Sequence, residues 1–337
     1  MPNHCKQRRQ FILGGAALLG TSVLASPAVR AAVPEKFIAV MDFLPSWKQA
    51  AFHLAKVKGW YNDAGLDVQI DDGSGSSVTI AQVNAEKCDI GLASLSAMAV
   101  SKSKGTDVIA VGAVLRTNDI GMIIDKKLGI SKPSELADKN ATIFFESTSF
   151  QSLFPPFFKN LGIDVTKVKL VPLSPASAIG TYLAGQGDAI ITTVPYVSPL
   201  VEQKRPSDAY MLSSYGLPLP AHGLVVNKAL LGRRADALRK FLAVSDRAWH
   251  QVWNGDPKEA IAALVDQRPL ARIDADLEIK RIAAYKPFAG SEASRGKNDL
   301  WMPPSDWQTA IKIMGDTSII ASDSRASDFF TNDYLPT

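Results

Sequence analysis

The chain has 337 residues, with 37 Lys and Arg against 33 Asp and Glu, a formal net charge of +4. Four of those bases (Lys6, Arg8, Arg9 and Arg30) and none of the acids fall within residues 1–32. Without that segment the chain carries no net charge, which excludes a nucleic-acid footprint or a polybasic membrane patch. Of the two cysteines, Cys5 lies in the same segment and leaves Cys88 alone. No intrachain disulfide is expected, so stability must come from an apolar core, and the length suits two domains.

Residues 1–32 read as an address. A basic start leads into an apolar run from Phe11 to Ala25, and small residues follow to Ala32, the three-part layout of a cleaved secretory signal peptide. The run is shorter than the roughly 20 apolar residues a bilayer span needs. Cleavage is expected after Ala31, with Ala28 the alternative. Gln7-Arg8-Arg9-Gln10-Phe11-Ile12 resembles a twin-arginine export signal, and Arg30 near the cleavage site is a charge that route tolerates. An ordinary secretory signal with two chance arginines is the other reading. Cys5 precedes the apolar run, on the wrong side for a lipoprotein.

From Glu35 onward, short apolar strands alternate with amphipathic helices, the pattern of α/β layers around parallel sheets. Strands are predicted at Phe37–Met41, Asp67–Ile70, Ile90–Leu92, Val108–Leu115, Gly121–Ile124, Ala141–Phe145, Lys169–Pro172, Ala189–Thr192 and Gly223–Val226. Helices are predicted between them at Ala50–Ala64, Val78–Ala85, Pro133–Ala137, Ser152–Leu161 and Pro175–Ala184. After Val226 helices dominate, at Ala235–Trp253, Pro257–Val265, Ala275–Ala284 and Asp306–Met314. Reciprocal capping signals stand at Thr148–Gln151, Asp256–Glu259 and Ser305–Gln308. Polar Arg116–Asp119 and the Gly- and Pro-rich Ser213–His222 are the expected crossings between two lobes.

The stretch from Ala50 to Val68, AAFHLAKVKGWYNDAGLDV, resembles the opening block of nitrate/taurine-type ABC substrate-binding proteins, relatives of thiamine-pyrimidine-precursor and sulfonate binders. Gly73–Ser77, Cys88–Ala93, Leu128–Leu136, Gly185–Ala189 and Gly223–Lys228 continue that family's blocks in order. The resemblance implies a two-lobed periplasmic binding protein fold of type II, with two hinge crossings and a helical C-terminal region. Lobe 1 would hold residues 33–118 and 219–337, and lobe 2 residues 119–218. It also implies a monomer in the periplasm that binds a small molecule and docks on an ABC permease served by an ATPase. No cofactor, metal, nucleic acid or catalytic residue is expected. Asp89 and Asp188, at strand starts, are expected to bond neighbouring amides.

In α/β sheets ligands sit beyond the carboxyl ends of strands. In the first such loop, Phe43 and Trp47 could stack on a flat ring, with Trp47 the better candidate because Ser46 and Lys48 flank it; Gln49 closes the loop. Ser74 and Ser76, and Ser94 and Ser96, offer hydroxyls and amides at helix starts, where capping is the other use. From the second lobe come Glu146, Ser147, Thr148, Ser149 and Phe150, then Thr193 and Tyr196. Arg116 and Asn118 lie at the first crossing with Asp119. His222 faces the same cleft in a family-like arrangement.

The loop aromatics, with Glu146 or Asp42 to accept from ring amino groups, favour a planar heteroaromatic such as a thiamine pyrimidine precursor. Arg116 and the Ser/Thr-rich helix starts favour an organic anion: a sulfonate such as taurine, an aromatic carboxylate, or nitrate. A yeast-type pyrimidine synthase is distantly similar but carries a cysteine cluster, whereas Gly-x-Ser-x-Gly and His-Glu-x-x-His are missing here. The expectation is therefore a transport protein and no enzyme, with a receptor-docking sensor as a further alternative.

Overall fold

The computed structural model describes residues 33–146 and 151–337. The export segment and the site candidates Ser147, Thr148, Ser149 and Phe150 lie outside the described residues, as does most of the Thr148–Gln151 capping signal.

Ten strands form two sheets. The first contains β1 (Glu35–Val40), β2 (Leu66–Asp71), β3 (Ile90–Ser94), β4 (Val108–Ala113) and β10 (His222–Asn227), in the order β2-β1-β3-β10-β4. The second contains β5 (Ile120–Asp125), β6 (Thr142–Glu146), β7 (Lys169–Leu173), β8 (Ala189–Thr193) and β9 (Ser207–Met211), in the order β7-β6-β8-β5-β9. Four strands of each sheet run in one direction, and one runs against them: β10 is antiparallel to β3 and β4, and β5 to β8 and β9. The sheets are thus mixed, where the alternating pattern predicted parallel ones. β5 and β10 are the strands that follow the two crossings, and a strand that arrives without a right-handed helical crossover is free to enter antiparallel. Both are buried along their whole length, so their runs are apolar apart from Asp125, His222 and Asn227 at the strand ends.

The nine predicted strands are present, with ends shifted by a residue or two, and β9 is added. Its sequence, SDAYM, is half polar because β9 is an edge strand bonded only to β5. The predicted helix 50–64 is two helices, α1 (Ala50–Val57) and α2 (Trp60–Asp63), separated at Gly59, whose φ of +73° no side chain readily adopts. Helices α3 (Ser76–Asn84) and α4 (Leu95–Ser103) complete the first βα run. Around the second sheet lie α5 (Phe154–Leu161), α6 (Pro175–Leu183) and α7 (Val194–Lys204). The segment predicted as a helix at Pro133–Ala137 is one 3-10 turn.

The C-terminal helices are α8 (Lys228–Arg233), α9 (Ala235–Asn254), α10 (Pro257–Gln267), α11 (Ala275–Ala289) and α12 (Pro304–Asp316). The buried residues of α9 recur at helical spacing: Leu238, Phe241, Leu242, Ser245, Ala248, Trp249, Val252 and Trp253. Phe241 stacks on Phe37 at 4.9 Å and on Tyr61 at 5.3 Å, which ties α9 to the first sheet. Each such ring contributes about 1.5–3 kcal/mol by leaving water. Two capping expectations change. Asp256 does cap α10 through Lys258 N–H, but Glu259 pairs with Lys58 instead of closing a box. Ser305 is not a cap, because α12 already starts at Pro304, whose fixed φ suits a first helical turn.

Candidate functional site

The site grows from the carboxyl end of β1. Gly73 comes so close to that end that a Cβ would fall 1.9 Å from the Met41 carbonyl oxygen. The Gly75 N–H donates to the Asp42 carbonyl at 2.7 Å. These contacts pin the backbone of loop 41–49, and within it the Asp42 side chain is buried. One oxygen of Asp42, Oδ2, accepts from Lys48 Nζ at 2.7 Å and lies 3.2 Å from His222 Nε2, at the start of β10. Burial alone would raise the Asp42 pKa, but the Lys48 ammonium and the His222 ring outweigh it and hold the carboxyl below its ordinary range. Lys48 is lifted in turn above the usual ammonium value, since burial is overcome by Asp42 and then by Asp119.

Asp119 faces this group from the start of the second sheet. Its Oδ2 accepts from the Tyr285 hydroxyl of α11 at 2.9 Å. Burial, and next the Asp119 charge, push the Tyr285 phenol well above its ordinary value, so it stays protonated; Thr193, at the end of β8, also bonds it. From α11, Arg281 pairs with Glu278, donates to the Tyr196 carbonyl at 3.1 Å and lies 3.5 Å above the Tyr196 ring. Glu278 accepts the Trp47 N–H at 2.7 Å. One polar chain therefore runs from loop 41–49 through α11 to α7, joining the strand ends of both sheets. It holds three carboxylates (Asp42, Asp119, Glu278) against two permanent cations, Lys48 and Arg281.

The sequence candidates separate into three groups. Thr193 and Tyr196 stand in the cluster. Glu146 ends β6, but its side chain is outside the described set.

The second group holds structure in place. Gln49 is buried and its Nε2 donates to the Phe43 carbonyl at 3.0 Å. The Ser76 hydroxyl accepts from Ser94 N–H, Ser94 caps α4 through Ala97 N–H, and Ser96 donates to the Pro220 carbonyl at 2.7 Å. Asn118 donates to the Leu217 carbonyl at 2.6 Å, which ties the two crossings together. Arg116, a candidate anion clamp with an exposed hinge arginine as the favoured reading, is neither: it is buried, and its guanidinium is engaged by the carbonyls of Ala289, Asn298, Asp299 and Trp301. Burial lowers its pKa to about 10, so it remains charged.

The third group concerns the aromatics and Ser74, which is exposed. Trp47 was preferred over Phe43, and the structure reverses that order. Trp47 is fully buried against Trp249, Trp253 and Tyr285, while Phe43 is 46% exposed at the loop tip. Polar flanks misled because Trp47 opens a 3-10 turn whose inner face meets α9. Asp89 and Asp188 act as expected, accepting from Ile38 N–H and Thr142 N–H at 2.7 Å each.

Sequence reasoning left Lys48 out, although Asp42, Asp119 and His222 were noticed, and it passed over Glu278, Arg281 and Tyr285. A signal for those three existed. Positions 278, 281, 282, 285 and 289 form the buried stripe of α11, and two of them are charged. Several buried polar atoms have no hydrogen-bond partner among the described residues, including Gln49 Oε1, Asn118 Oδ1 and His222 Nδ1. Asp42, Asp119 and Glu278 add three carboxylates to these atoms. The arrangement is thus rich in acceptors, suited to a ligand that donates hydrogen bonds. Among the described residues, no group of three or more His, Cys, Asp or Glu could hold a metal ion, and no helix is long and apolar enough to cross a membrane.

Comparison with known proteins places the molecule. Residues 47–260 match the family described as NMT1/THI5 like. A Saccharomyces cerevisiae protein named 4-amino-5-hydroxymethyl-2-methylpyrimidine phosphate synthase THI12 is 26% identical over 312 residues, covering 88% of this chain and 87% of its own. Among solved structures, the ligand-binding component of an ABC-type import system from Staphylococcus aureus aligns with a TM-score of 0.66 at 14% identity, over 89% of this chain and 97% of that one. The periplasmic aliphatic sulphonate binding protein SsuA from Escherichia coli aligns with a TM-score of 0.62 at 14% identity, over 88% and 91%. The expectation of a non-enzyme is corrected by the first relative, a synthase similar along most of the chain. The missing hydrolase and zinc motifs spoke only to those classes of chemistry. With its two-lobed α/β architecture, the chain belongs to the NMT1/THI5-like family and has the fold of the periplasmic binding proteins.

Proposed function

We propose that this protein is the solute-binding component of an ABC importer, exported to the periplasm by residues 1–32, and that it captures a small planar amino-bearing heteroaromatic of the aminopyrimidine kind. The lobes are residues 33–118 with 219–337, and 119–218. They close on the ligand by rotation about the crossings at 116–119 and 213–222, and the closed form meets a membrane permease. The observation that carries this reading is the buried cluster of Asp42, Lys48, His222, Asp119 and Tyr285 where the strand ends of the two sheets meet. Two carboxylates there accept from amino groups, Tyr196 and the exposed Phe43 supply ring faces, and an anion would meet two negative charges. Micromolar binding corresponds to about −8 kcal/mol, within reach of one buried ring and several hydrogen bonds.

The synthase name of the fungal relative favours a second reading, in which the same cleft converts a pyrimidine precursor. One experiment separates the two. The purified chain is heated with aminopyrimidines, alkanesulfonates, aromatic carboxylates or nitrate, and each compound is recovered for mass spectrometry. At 100 times its dissociation constant a ligand adds about 2.7 kcal/mol, a visible shift. A shift with an aminopyrimidine recovered intact supports capture. A pyrimidine phosphate recovered from the chain when no pyrimidine was added supports the synthase reading, and a shift only with sulfonate or nitrate rejects the proposed ligand class.

A further inference from the structure

Lys48 is the unexpected member of the cleft. Its side chain is 14% exposed and it is bonded to Asp42 at 2.7 Å, with Asp119 and Tyr196 of the opposite side within electrostatic reach. A buried ion pair is poor evidence of stabilisation, because desolvating two charges offsets most of their attraction. The backbone at Lys48 is held in the turn Trp47–Gln49, so what can move is the lysine side chain, which lies beside an exposed loop tip. Phe43 and Leu44, a few residues away in the same loop, are 46% and 62% exposed. Lys is a compact point charge on a flexible four-carbon stem, unlike the forked Arg281, which is fixed by Glu278, the Tyr196 carbonyl and the Tyr196 ring. His222 bonds the same Asp42 oxygen, so that carboxylate keeps a partner when Lys48 leaves.

We infer that Lys48 is a tethered stand-in for the ligand's own amino group and sets the specificity of the cleft. With no ligand, its ammonium lies between Asp42 and Asp119 and screens their repulsion, so the lobes can stay together. An amino-bearing ligand presents equivalent donors, takes over Asp42, and the lysine stem swings out past the Phe43–Leu44 tip. A ligand lacking such a donor cannot displace it. Competition from Lys48 raises the apparent dissociation constant to the intrinsic value divided by the fraction of molecules in which Asp42 is free of the lysine. This inference rests on the cleft reading above.

The test compares the full chain with Lys48→Met in two independent ways. Small-angle scattering without ligand is expected to show a larger radius of gyration for the variant, because Asp42 and Asp119 then repel unscreened. Calorimetric titration with 4-amino-5-hydroxymethyl-2-methylpyrimidine is expected to show about tenfold tighter binding to the variant. Equal radii, or binding that is unchanged or weaker in the variant, overturn the inference; weaker binding would make Lys48 a direct ligand contact. If neither protein binds the pyrimidine, the ligand class proposed above fails, while the scattering comparison still decides the role of Lys48. Should Lys48→Met not fold, Lys48→Gln keeps an uncharged donor toward Asp42 and is read in the same two measurements.

Discussion

The two sheets share one plan and differ in what they carry. Each has the same strand order, each takes in an antiparallel strand after a crossing, and each uses an aspartate at a strand start (Asp89 or Asp188) to hold a neighbouring backbone N–H. Their chemistry diverges beyond the carboxyl ends. The first sheet sends Asp42, Lys48 and His222 into the polar cluster. The second sends Asp119, Thr193 and Tyr196, whose main partners come from α11, a helix after the second crossing. A duplicated plan therefore does not duplicate the site. The fold supplies two opposed edges, and the loops and the C-terminal helices supply the function.

The largest expected effect sharpens that contrast. Asp42→Asn leaves Lys48 buried beside a neutral amide and should cost about 3–5 kcal/mol of stability in urea unfolding. The opposing change, Asp119→Asn, leaves Tyr285 an amide oxygen to donate to and should cost about 1–3 kcal/mol. Equal losses would break the asymmetry between the two sides.

Acid should loosen the first side. His53 in α1 is buried with neither ring nitrogen partnered among the described residues, and burial, then Arg268 and Lys56, lower its pKa to about 3 from 6.5. Between those values the unfolded chain holds a proton that the folded chain does not. Stability therefore falls as pH drops below 6.5, by up to about 1.4 kcal/mol per pH unit, and levels off near pH 3. His53→Leu should flatten this slope in urea midpoints measured at pH 7 and pH 5; an unchanged slope would contradict the assignment.

A smaller effect belongs to the bridge. Tyr285→Phe removes the hydroxyl bonded to Asp119 and should cost about 1 kcal/mol of stability while weakening ligand binding several-fold by calorimetry. The smallest contrast is in the shared device. Asp188→Asn should cost about 1 kcal/mol, and Asp89→Asn somewhat more, because Asp89 also pairs with Arg234.

The fold was legible where burial writes itself into the sequence. β3, β4, β5 and β10 are buried at every position, so their runs are apolar except for Ser94, Asp125, His222 and Asn227 at strand ends. β9 escaped because an edge strand has no second neighbour to demand apolar residues. Helix α7 escaped because Pro195 and Pro199 argue against a helix, although a proline in the first turn is tolerated and the segment is held by tertiary packing. The site was half legible. Loops after strands pointed to Asp42, Thr193 and Tyr196, but on α11 the Arg281 that meets Tyr196 is 85 residues distant and the Glu278 that holds the Trp47 N–H is 231, separations no local pattern encodes. Trp47 and Arg116 look like ligand contacts by residue type, and only packing reveals that one is core and the other a pin for the C-terminal segment.

The most direct test of the account is a calorimetric titration of 4-amino-5-hydroxymethyl-2-methylpyrimidine into the wild-type chain and into Asp119→Asn, the milder of the two carboxylate changes. The account predicts one site per chain in the wild type and binding weakened at least tenfold in the variant, because the ligand's amino donors lose a charged acceptor. Equal affinity for both proteins, or binding of taurine in place of the pyrimidine, would contradict the claim that opposed carboxylates between the two sheets form the binding site.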